Sequence, residues 1–419
     1  MNDSTFISYF LPTSVLLPFL LFFSRNPNRN APILVILLLW FFVFLLHGIC
    51  VDFELLPVFK SDLVTNSNVC FALIALVLSF SVTRKLMDKF LKSARHYSND
   101  ITGSEVKIFF SYKIRFLLLI FSIVSVFLVY GKAAAIVNNT NVFSYLQLLR
   151  TNINYEGSSW GFTRSLGVPL IVISCYLMVL KKGSSIKEKI PEIIIVINTL
   201  LIAIISTQRT SILLLIIGLL FALSNNSLPR LKTIVLSSSL FVSMFILVGF
   251  FVGKVGDDTT VVNSVLLNGI ESFAMYLLAP LSALAHSDIL HHTHINGNYT
   301  LRFFFILLDK FGIHSHEYTS LIMDFVYVPY PTNVYTFLGA PVSDFGYFYF
   351  FYFMLIGIIL GMVFSLPRGR ISYRVLQGFA FYPIIMSVFQ DQFLTLTSTW
   401  IQIFITIFLL RILEKRTAY

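Results

Sequence analysis

Long apolar runs recur along the whole chain, and they constrain the fold more than any other feature of the sequence. Phe6–Phe23, Ala31–Cys50 and Tyr347–Ser365, for example, contain no Asp, Glu, Lys or Arg. A helix of about 20 residues crosses the ~30 Å hydrocarbon layer and satisfies its own backbone hydrogen bonds there. Because 57% of the 419 residues are hydrophobic and only 12% are charged, a soluble globular core is excluded. The sequence predicts an all-α polytopic membrane protein, with residues 1–419 forming a single integral membrane domain.

Basic residues cluster in short segments between the apolar runs, and this asymmetry predicts the topology. The net charge of +10 is explained by these segments, so it does not indicate a nucleic-acid partner. The inner segments begin at Arg25, Arg84, Lys181, Arg230 and Arg368, and the C-terminal tail joins them. The outer segments are 51–66, 131–164, 207–210, 251–346 and 389–395. This arrangement predicts about eleven spans (about 10 to 13), an outer N-terminus and two long outer loops, 131–164 and 251–346. The count rises if Val262–Ala285 forms an additional re-entrant or interfacial helix.

The run from Pro329 to Gly346 is the most informative polar stretch of the outer face. Its prolines, Pro329, Pro331 and Pro341, argue against a regular helix. Polar groups are set among aromatic side chains, directly before an apolar span, which favours a substrate site over a linker. The candidate substrate-binding or catalytic residues of this run are Asn333, Tyr335, Thr336 and Asp344.

Three arginines, Arg150, Arg209 and Arg302, lie one in each of three outer segments. Planar guanidinium groups pair with phosphate oxygens in a bidentate manner, so these residues are candidates for binding an anionic headgroup such as a pyrophosphate. The alternative is that they are solvated or snorkelling side chains. Trp160 and Gly161 follow Arg150 in the same loop.

Other chemistry is poorly supported by the sequence. Six of the eight histidines fall between His286 and His316, but no Cys or Glu stands at ligand spacing, so we interpret them as solvated loop residues and expect no metal site. No Gly-rich phosphate loop is present, so an ATP-driven step is not expected. The sequence therefore predicts no cofactor.

The stretch Tyr330–Thr336, the Asp-Phe-Gly of Asp344–Gly346 and the Gln-Arg-Thr of Gln208–Thr210 resemble motifs of the O-antigen polymerases. The two long outer loops fit the same family. Arg150 is separated from Gly161 by ten residues and Arg302 from Gly312 by nine, so the two loops do not repeat one Arg-to-Gly spacing.

The resemblance implies a glycosyltransferase in the bacterial inner membrane with its active side in the periplasm. It would polymerise undecaprenyl-pyrophosphate-linked O-antigen repeat units by moving the growing chain onto a new lipid-linked unit. The partners implied are this lipid-linked oligosaccharide, membrane lipids, a chain-length regulator and a repeat-unit flippase.

The resemblance also implies roles for the candidate residues. Arg150, Arg209 and Arg302 would stabilise the departing pyrophosphate. Asp344 and Asn333 would bind sugar or orient the acceptor, together with Tyr335, and Trp160 and Tyr330 would stack on sugars. Thr336, Gly161 and Gly346 are further candidates for substrate binding.

Three other functions are compatible with parts of the pattern. A lipid-linked oligosaccharide flippase would have short loops on both faces and charges inside its spans, which this chain lacks. An O-antigen ligase differs only in its acceptor. A membrane acyltransferase would need a His-centred site, for which His47 is the mid-span candidate.

Overall fold

The computed structural model describes residues 3–96, 106–139, 141–155, 159–180, 185–251, 262–291, 295–313 and 323–418. Within these ranges the chain is mainly helical and contains only four short strands. The α-helices are α1 (Asp3–Ser24), α2 (Ala31–Asp52), α3 (Leu63–His96), α4 (Tyr112–Val137), α5 (Leu146–Tyr155), α6 (Gly167–Leu180), α7 (Ile190–Ile205), α8 (Arg209–Leu223), α9 (Leu231–Phe251), α10 (Val262–Ala285), α11 (Arg302–Lys310), α12 (Gly339–Phe345), α13 (Tyr349–Ser365), α14 (Ile371–Met386) and α15 (Thr397–Leu413). The strands are β1 (Val106–Phe109), β2 (Val326–Tyr327), β3 (Pro331–Thr332) and β4 (Lys415–Ala418).

Six helical segments are long and apolar enough to cross a membrane, and they confirm the predicted all-α polytopic membrane protein. They are Ile7–Ser24, Ala31–Asp52, Leu63–Leu91, Tyr112–Val137, Gly161–Leu180 and Gly339–Ser365. Shorter apolar helices occupy much of the remaining sequence, including α8 and α15. The total of about eleven spans stays a prediction.

The described residues belong to two compact units, which we treat separately. The first unit comprises Met1–Ser98, Ala274–Leu366 and Ala380–Ser398. The second comprises Asn99–Phe273, Pro367–Phe379 and Thr399–Tyr419.

Helices α3 and α13 pack closely against each other along much of their length in the first unit. Gly357 and Gly361 lie one turn apart on α13 and face α3. A Cβ atom added to Gly357 would lie 2.0 Å from Ser79 Oγ and 2.4 Å from the Leu76 carbonyl oxygen. Small residues at this spacing let two membrane helices approach until their backbones touch, which increases van der Waals contact in an environment without a hydrophobic driving force.

In the second unit, α4, α6, α7 and α8 pack around buried polar contacts. The hydroxyls of Ser174 on α6 and Thr199 on α7 are 2.9 Å apart, and Asn198 Nδ2 donates to Ser122 Oγ on α4 at 3.0 Å. A Cβ atom on Gly218 of α8 would lie 2.6 Å from the Phe379 ring. Hydrogen bonds between spans keep polar side chains satisfied inside the apolar layer.

Contacts between connecting segments agree with the predicted grouping of loops into two faces. Strand β1 pairs antiparallel with β4, which joins an inner segment to the C-terminal tail. Asn226 Nδ2, which follows α8, donates to the Arg374 carbonyl oxygen at 3.0 Å, so two further inner segments meet. Among the outer segments, Thr336 forms a parallel β-bridge with Gln390. Each contact joins segments predicted to lie on one side, while the identity of the outer side stays a prediction.

The 251–346 segment contains more regular structure than its length as a loop suggests. Val262–Ala285 forms the additional helix considered from the sequence, α10. The expectation that Pro329–Gly346 contains no regular helix is wrong for its second half, where α12 spans seven residues. Pro341 is the third residue of α12, in the first turn, where no backbone N–H is needed for an intrahelical hydrogen bond.

Candidate functional site

Asp344 lies near the end of the polar stretch and is fully buried in the first unit. Its carboxylate accepts the Tyr299 N–H at 3.0 Å and both the N–H and the hydroxyl of Thr300, at 2.6 and 2.7 Å. Its carbonyl oxygen accepts the Asn296 N–H at 2.9 Å. Asp344 therefore fixes the segment 296–300 against α12, and this segment leads directly into α11.

Arg302 is the first residue of α11, two positions after the segment held by Asp344. Its side chain is half-buried, and its Nε has no hydrogen-bond partner within the part of the chain that the structure describes. A guanidinium N–H shielded from water without an acceptor is costly, so an anionic oxygen at this position would be stabilising.

The aromatic and polar residues before α12 divide into an exposed and a buried set. Tyr330 is 55% exposed and Asn333 is half-buried, so both can contact a ligand. Tyr335 and Thr336 are buried, and the Tyr335 hydroxyl donates to the Asp324 carbonyl oxygen at 2.6 Å. Burial, together with the nearby Asp324 charge, raises the pKa of Tyr335 to about 12.

Two residues of this stretch have left-handed backbone conformations that shape the chain. Thr336 has φ 59°, an unfavourable value for a β-branched residue, and the β-bridge to Gln390 holds it there. Gly346 has φ 51° and ψ −130° where α12 ends, a conformation that favours glycine. Both residues therefore determine the course of the backbone around the candidate site.

The segment that follows α14 packs against the residues just before α12. The Phe337 N–H donates to the Ser387 carbonyl oxygen at 2.8 Å, and Trp40 Nε1 donates to Ser387 Oγ at 3.0 Å. The ring of Phe337 packs edge-on against Phe353, with centroids 4.8 Å apart. The predicted stretch is thus held between α2, α13 and residues 386–395.

Asp391 in this segment was not singled out from the sequence. It is 2% exposed and accepts the N–H groups of Phe393 and Thr395, at 3.4 and 3.2 Å. The Tyr352 hydroxyl also hydrogen-bonds its carboxylate. Burial raises the pKa of Asp391 to about 6, although these hydrogen bonds act in the opposite direction. An acid between two apolar helices was the available sequence signal, but its partners are distant in the chain.

The Gln-Arg-Thr turn of the second unit joins α7 to α8 through a tight helix end. The Gln208 N–H donates to the Ala203 carbonyl oxygen at 3.0 Å, while Thr207 has φ 54°, in the position that glycine usually occupies. Gln208 Oε1 accepts the Ser211 hydroxyl at 2.9 Å. Arg209 is the first residue of α8 and is half-buried.

The first of the two long loops, predicted to be an outer loop, meets this turn at a small cavity. Trp160, Thr163 and Arg164 line a space of ≈ 20 Å³ together with Gln208 and Ser211. A volume of this size holds about one water molecule. Trp160 is only 6% exposed, while Gly161 beside it is exposed with φ 55°. The structure therefore brings two of the predicted regions together, and it adds Arg164, a cation that sequence reasoning did not select.

Arg150 lies on α5, a short amphipathic helix that packs against α4. Leu146 and Leu149 are buried, and Asn152 Nδ2 donates to the Ile136 carbonyl oxygen on α4 at 3.2 Å. The Arg150 side chain is half-buried. Arg150 and Arg209 thus belong to the second unit and Arg302 to the first, and the joint action of all three stays a prediction.

The ranges that the structure covers contain no group of three His, Cys, Asp or Glu side chains placed to hold a metal ion. His292, His294, His314 and His316 of the histidine-rich segment lie outside those ranges. The candidate site contains the Asp344 carboxylate, guanidinium groups, amides, hydroxyls and aromatic rings.

Comparison with known proteins gives one family. The family model described as "Putative O-antigen polymerase" matches residues 28–390, which include the three arginines and the whole of Pro329–Gly346. A curated protein of the same description from Escherichia coli (strain K12) is 23% identical over 266 residues. That alignment covers 63% of this chain and 64% of the relative, slightly less than two thirds of its length. No solved structure matches.

Proposed function

Because the chain belongs to the O-antigen polymerase family, we propose that it polymerises lipid-linked O-antigen repeat units. The carrier would be undecaprenyl pyrophosphate, and the reaction would take place on the periplasmic face of the bacterial inner membrane. The family match over residues 28–390 carries this proposal, since it spans both candidate regions.

The proposed reaction is one glycosyl transfer between two lipid-linked chains. A hydroxyl oxygen at the non-reducing end of a new unit attacks the anomeric carbon of the growing chain. The bond from that carbon to the pyrophosphate oxygen breaks, the hydroxyl proton passes to a base or water, and undecaprenyl pyrophosphate leaves. The donor bond supplies the driving force, so neither ATP nor a cofactor is required.

Arg302 has the strongest structural support as a ligand for the departing pyrophosphate. Its shielded Nε has no acceptor within the described chain, and it begins a helix held in place through Asp344. Stabilising charge that develops on a leaving group is the largest contribution a preorganised site can make. We propose the same role for Arg209 and Arg150, which lie half-buried at the predicted outer face.

For Asp344 the geometry supports a positioning role better than direct contact with substrate. Its carboxylate is fully buried and already accepts hydrogen bonds from Tyr299 and Thr300. We propose that Asp344 orients Arg302, while the accessible Tyr330 and Asn333 contact sugar. Tyr335, Thr336 and Gly346 would hold the backbone beneath these two side chains in its conformation.

A separate candidate region lies in the second unit, at the Gln-Arg-Thr turn. Trp160 is too buried to stack on a sugar without rearrangement, so its ring would shape the wall beside Gln208. Gly161 and Arg164 are exposed at the same place and can contact a ligand. A chain-length regulator and a repeat-unit flippase would act as partners within the same membrane.

Deleting the gene and complementing it with variants tests the proposal. Loss of a polymerase should leave lipid A-core bearing a single repeat unit, and complementation should restore a ladder of longer chains. Arg302→Gln should shorten the ladder, whereas Arg230→Gln, which removes an exposed arginine from the predicted inner face, should not. Lipid A-core without any unit would indicate a ligase instead, and repeat units retained in the cytoplasm would indicate a flippase.

A further inference from the structure

A second cavity lies in the first unit, and none of its lining residues belongs to the candidate functional site. It has a volume of ≈ 560 Å³ and is bounded by the α1–α2 connection, the C-terminal part of α3 and the end of α13. Arg29, Lys85 and Lys89 supply three cations to its lining, and Asp88 supplies one carboxylate. All of these segments belong to the predicted inner face.

One face of α3 gives this cavity both charged and apolar character. Val82, Lys85, Leu86 and Lys89 all line it, and their spacing of three, four and seven residues places them on a single helical face. Val82 and Leu86 are 58% and 50% exposed. A ligand in the cavity therefore meets ammonium groups next to uncovered aliphatic side chains.

The length of α3 places this face at the membrane boundary. The helix has 34 residues and is therefore about 51 Å long, whereas the hydrocarbon layer is about 30 Å thick. Counted from Leu63, about 20 residues suffice to cross that layer, so α3 leaves it near Val82. The cavity begins at this depth and continues into the headgroup region.

Neighbouring contacts hold the wall of the cavity in place. Arg84 is buried, donates to the Arg29 carbonyl oxygen, and lies over the Phe80 ring at 5.7 Å from its centroid. Arg29 also pairs with Asp88, which neutralises the carboxylate at the cavity. Lys85 and Lys89 are exposed and remain oriented toward the cavity by the helix.

We propose that this cavity binds the headgroup of an anionic phospholipid from the leaflet at this end of α3. The phosphate lies on Lys85 and Lys89 with Arg29 behind them, and the start of an acyl chain lies along Val82 and Leu86. A free phosphate offers the same charge but would leave the aliphatic half of the face exposed. Basic pockets between spans on the inner side of a membrane are suited to anionic headgroups. The site is independent of the proposed polymerase reaction.

Native mass spectrometry of the full-length protein in detergent tests this site. Dioleoylphosphatidylglycerol is titrated against dioleoylphosphatidylcholine, which has the same acyl chains and no net charge. We expect a phosphatidylglycerol adduct of the wild type that the Lys85→Gln/Lys89→Gln variant binds about 30-fold more weakly. The control Lys187→Gln/Lys232→Gln removes two exposed lysines from other inner segments and should bind as the wild type does.

Two further measurements distinguish a lipid-binding site from a site that binds any small anion. Leu86→Gln should weaken phosphatidylglycerol binding, and millimolar inorganic phosphate should not displace the lipid. Equal binding of the two lipids, equal loss in the control variant, or displacement by inorganic phosphate would each overturn the proposal. Size-exclusion profiles that match the wild type establish that the exposed-site variants are folded.

Discussion

Asp344 and Thr300 are joined by two hydrogen bonds, since the N–H and the hydroxyl of Thr300 both donate to Asp344 Oδ2, at 2.6 and 2.7 Å. Because both groups of Thr300 bind the same carboxylate oxygen, Asp344 fixes the backbone and the side chain of Thr300, and with them the segment 296–300. The segment ends at α11, where Arg302 begins the helix. This relationship makes the orientation of Arg302 depend on a residue more than forty positions later in the chain.

Asp344→Ala should release this segment. The change leaves the buried donors of Tyr299 and Thr300 without an acceptor, and we expect a loss of about 3 kcal/mol in the free energy of unfolding. Hydrogen exchange at the Tyr299 and Thr300 amides should accelerate, and chain elongation should fall with it. Asn333→Ala, in the same 329–346 stretch, should leave both amides protected. Unchanged exchange in Asp344→Ala would contradict the positioning role.

Trp160→Ala should act first through stability. A Trp that is 6% exposed contributes about 3 to 5 kcal/mol when truncated to Ala, because the cavity left behind cannot collapse completely. Phe162→Ala provides the matched control, since Phe162 is 68% exposed two residues away. Thermal unfolding in detergent should show a large shift for Trp160→Ala and little for Phe162→Ala. Similar shifts in both variants would show that Trp160 is not part of a packed wall.

Asp391 should make stability depend on pH. Its pKa is about 6 in the folded protein and about 3.9 in an unfolded chain, so the folded state retains a proton that the unfolded state releases. The stabilisation from the neutral carboxyl is complete below about pH 4 and is lost as the pH rises through about 6. Relative to Asp391→Asn, the wild type should lose about 3 kcal/mol between these limits.

A second variant checks the assignment of this titration to Asp391. The Tyr352 hydroxyl lowers the pKa of Asp391, so Tyr352→Phe should move the upper end of the pH range to a higher value. Unfolding curves collected between pH 4 and 8 measure both effects. A difference between wild type and Asp391→Asn that does not change with pH would contradict the burial of this acid.

The α3–α13 contact should tolerate no side chain at Gly357. Its added Cβ would meet both Ser79 Oγ and the Leu76 carbonyl oxygen, so Gly357→Ala should destabilise the protein by about 1 to 3 kcal/mol. Gly131→Ala is the control, because Gly131 is also helical and has nothing within 4 Å of its added Cβ. There, the change should be neutral or stabilise by up to about 1 kcal/mol. If both substitutions shift the unfolding temperature in the same direction, the close packing at Gly357 is contradicted.

Much of the fold could be predicted because long apolar runs allow few structures in a bilayer. The bounds of α10 agree with the segment selected from the sequence, and contacts such as that between Thr336 and Gln390 join loops predicted to share a face. α12 was missed because its proline signalled a break, although a proline in a first turn is compatible with a helix.

The site was harder to predict, since its residues act through partners that are distant in sequence. The pattern selected Asp344 as a polar group before a span, but it could not show that Thr300 already occupies the carboxylate. Asp391 was missed for the same reason, because its hydrogen bond to Tyr352 depends on how α13 packs. Trp160 was selected and Gln208 was noted only as part of the Gln-Arg-Thr motif, while their common cavity is visible only after α4, α6 and α7 are assembled.

Reconstitution tests the central claim most directly. The purified protein is placed in proteoliposomes with undecaprenyl-pyrophosphate-linked repeat units and without nucleotide, and the lipid-linked products are separated by length. The proposed function predicts products of two or more units that increase with time, strongly reduced by Arg302→Gln and retained with Arg230→Gln. Single units that persist unchanged with the folded wild-type protein, under conditions where a known polymerase elongates them, would contradict it.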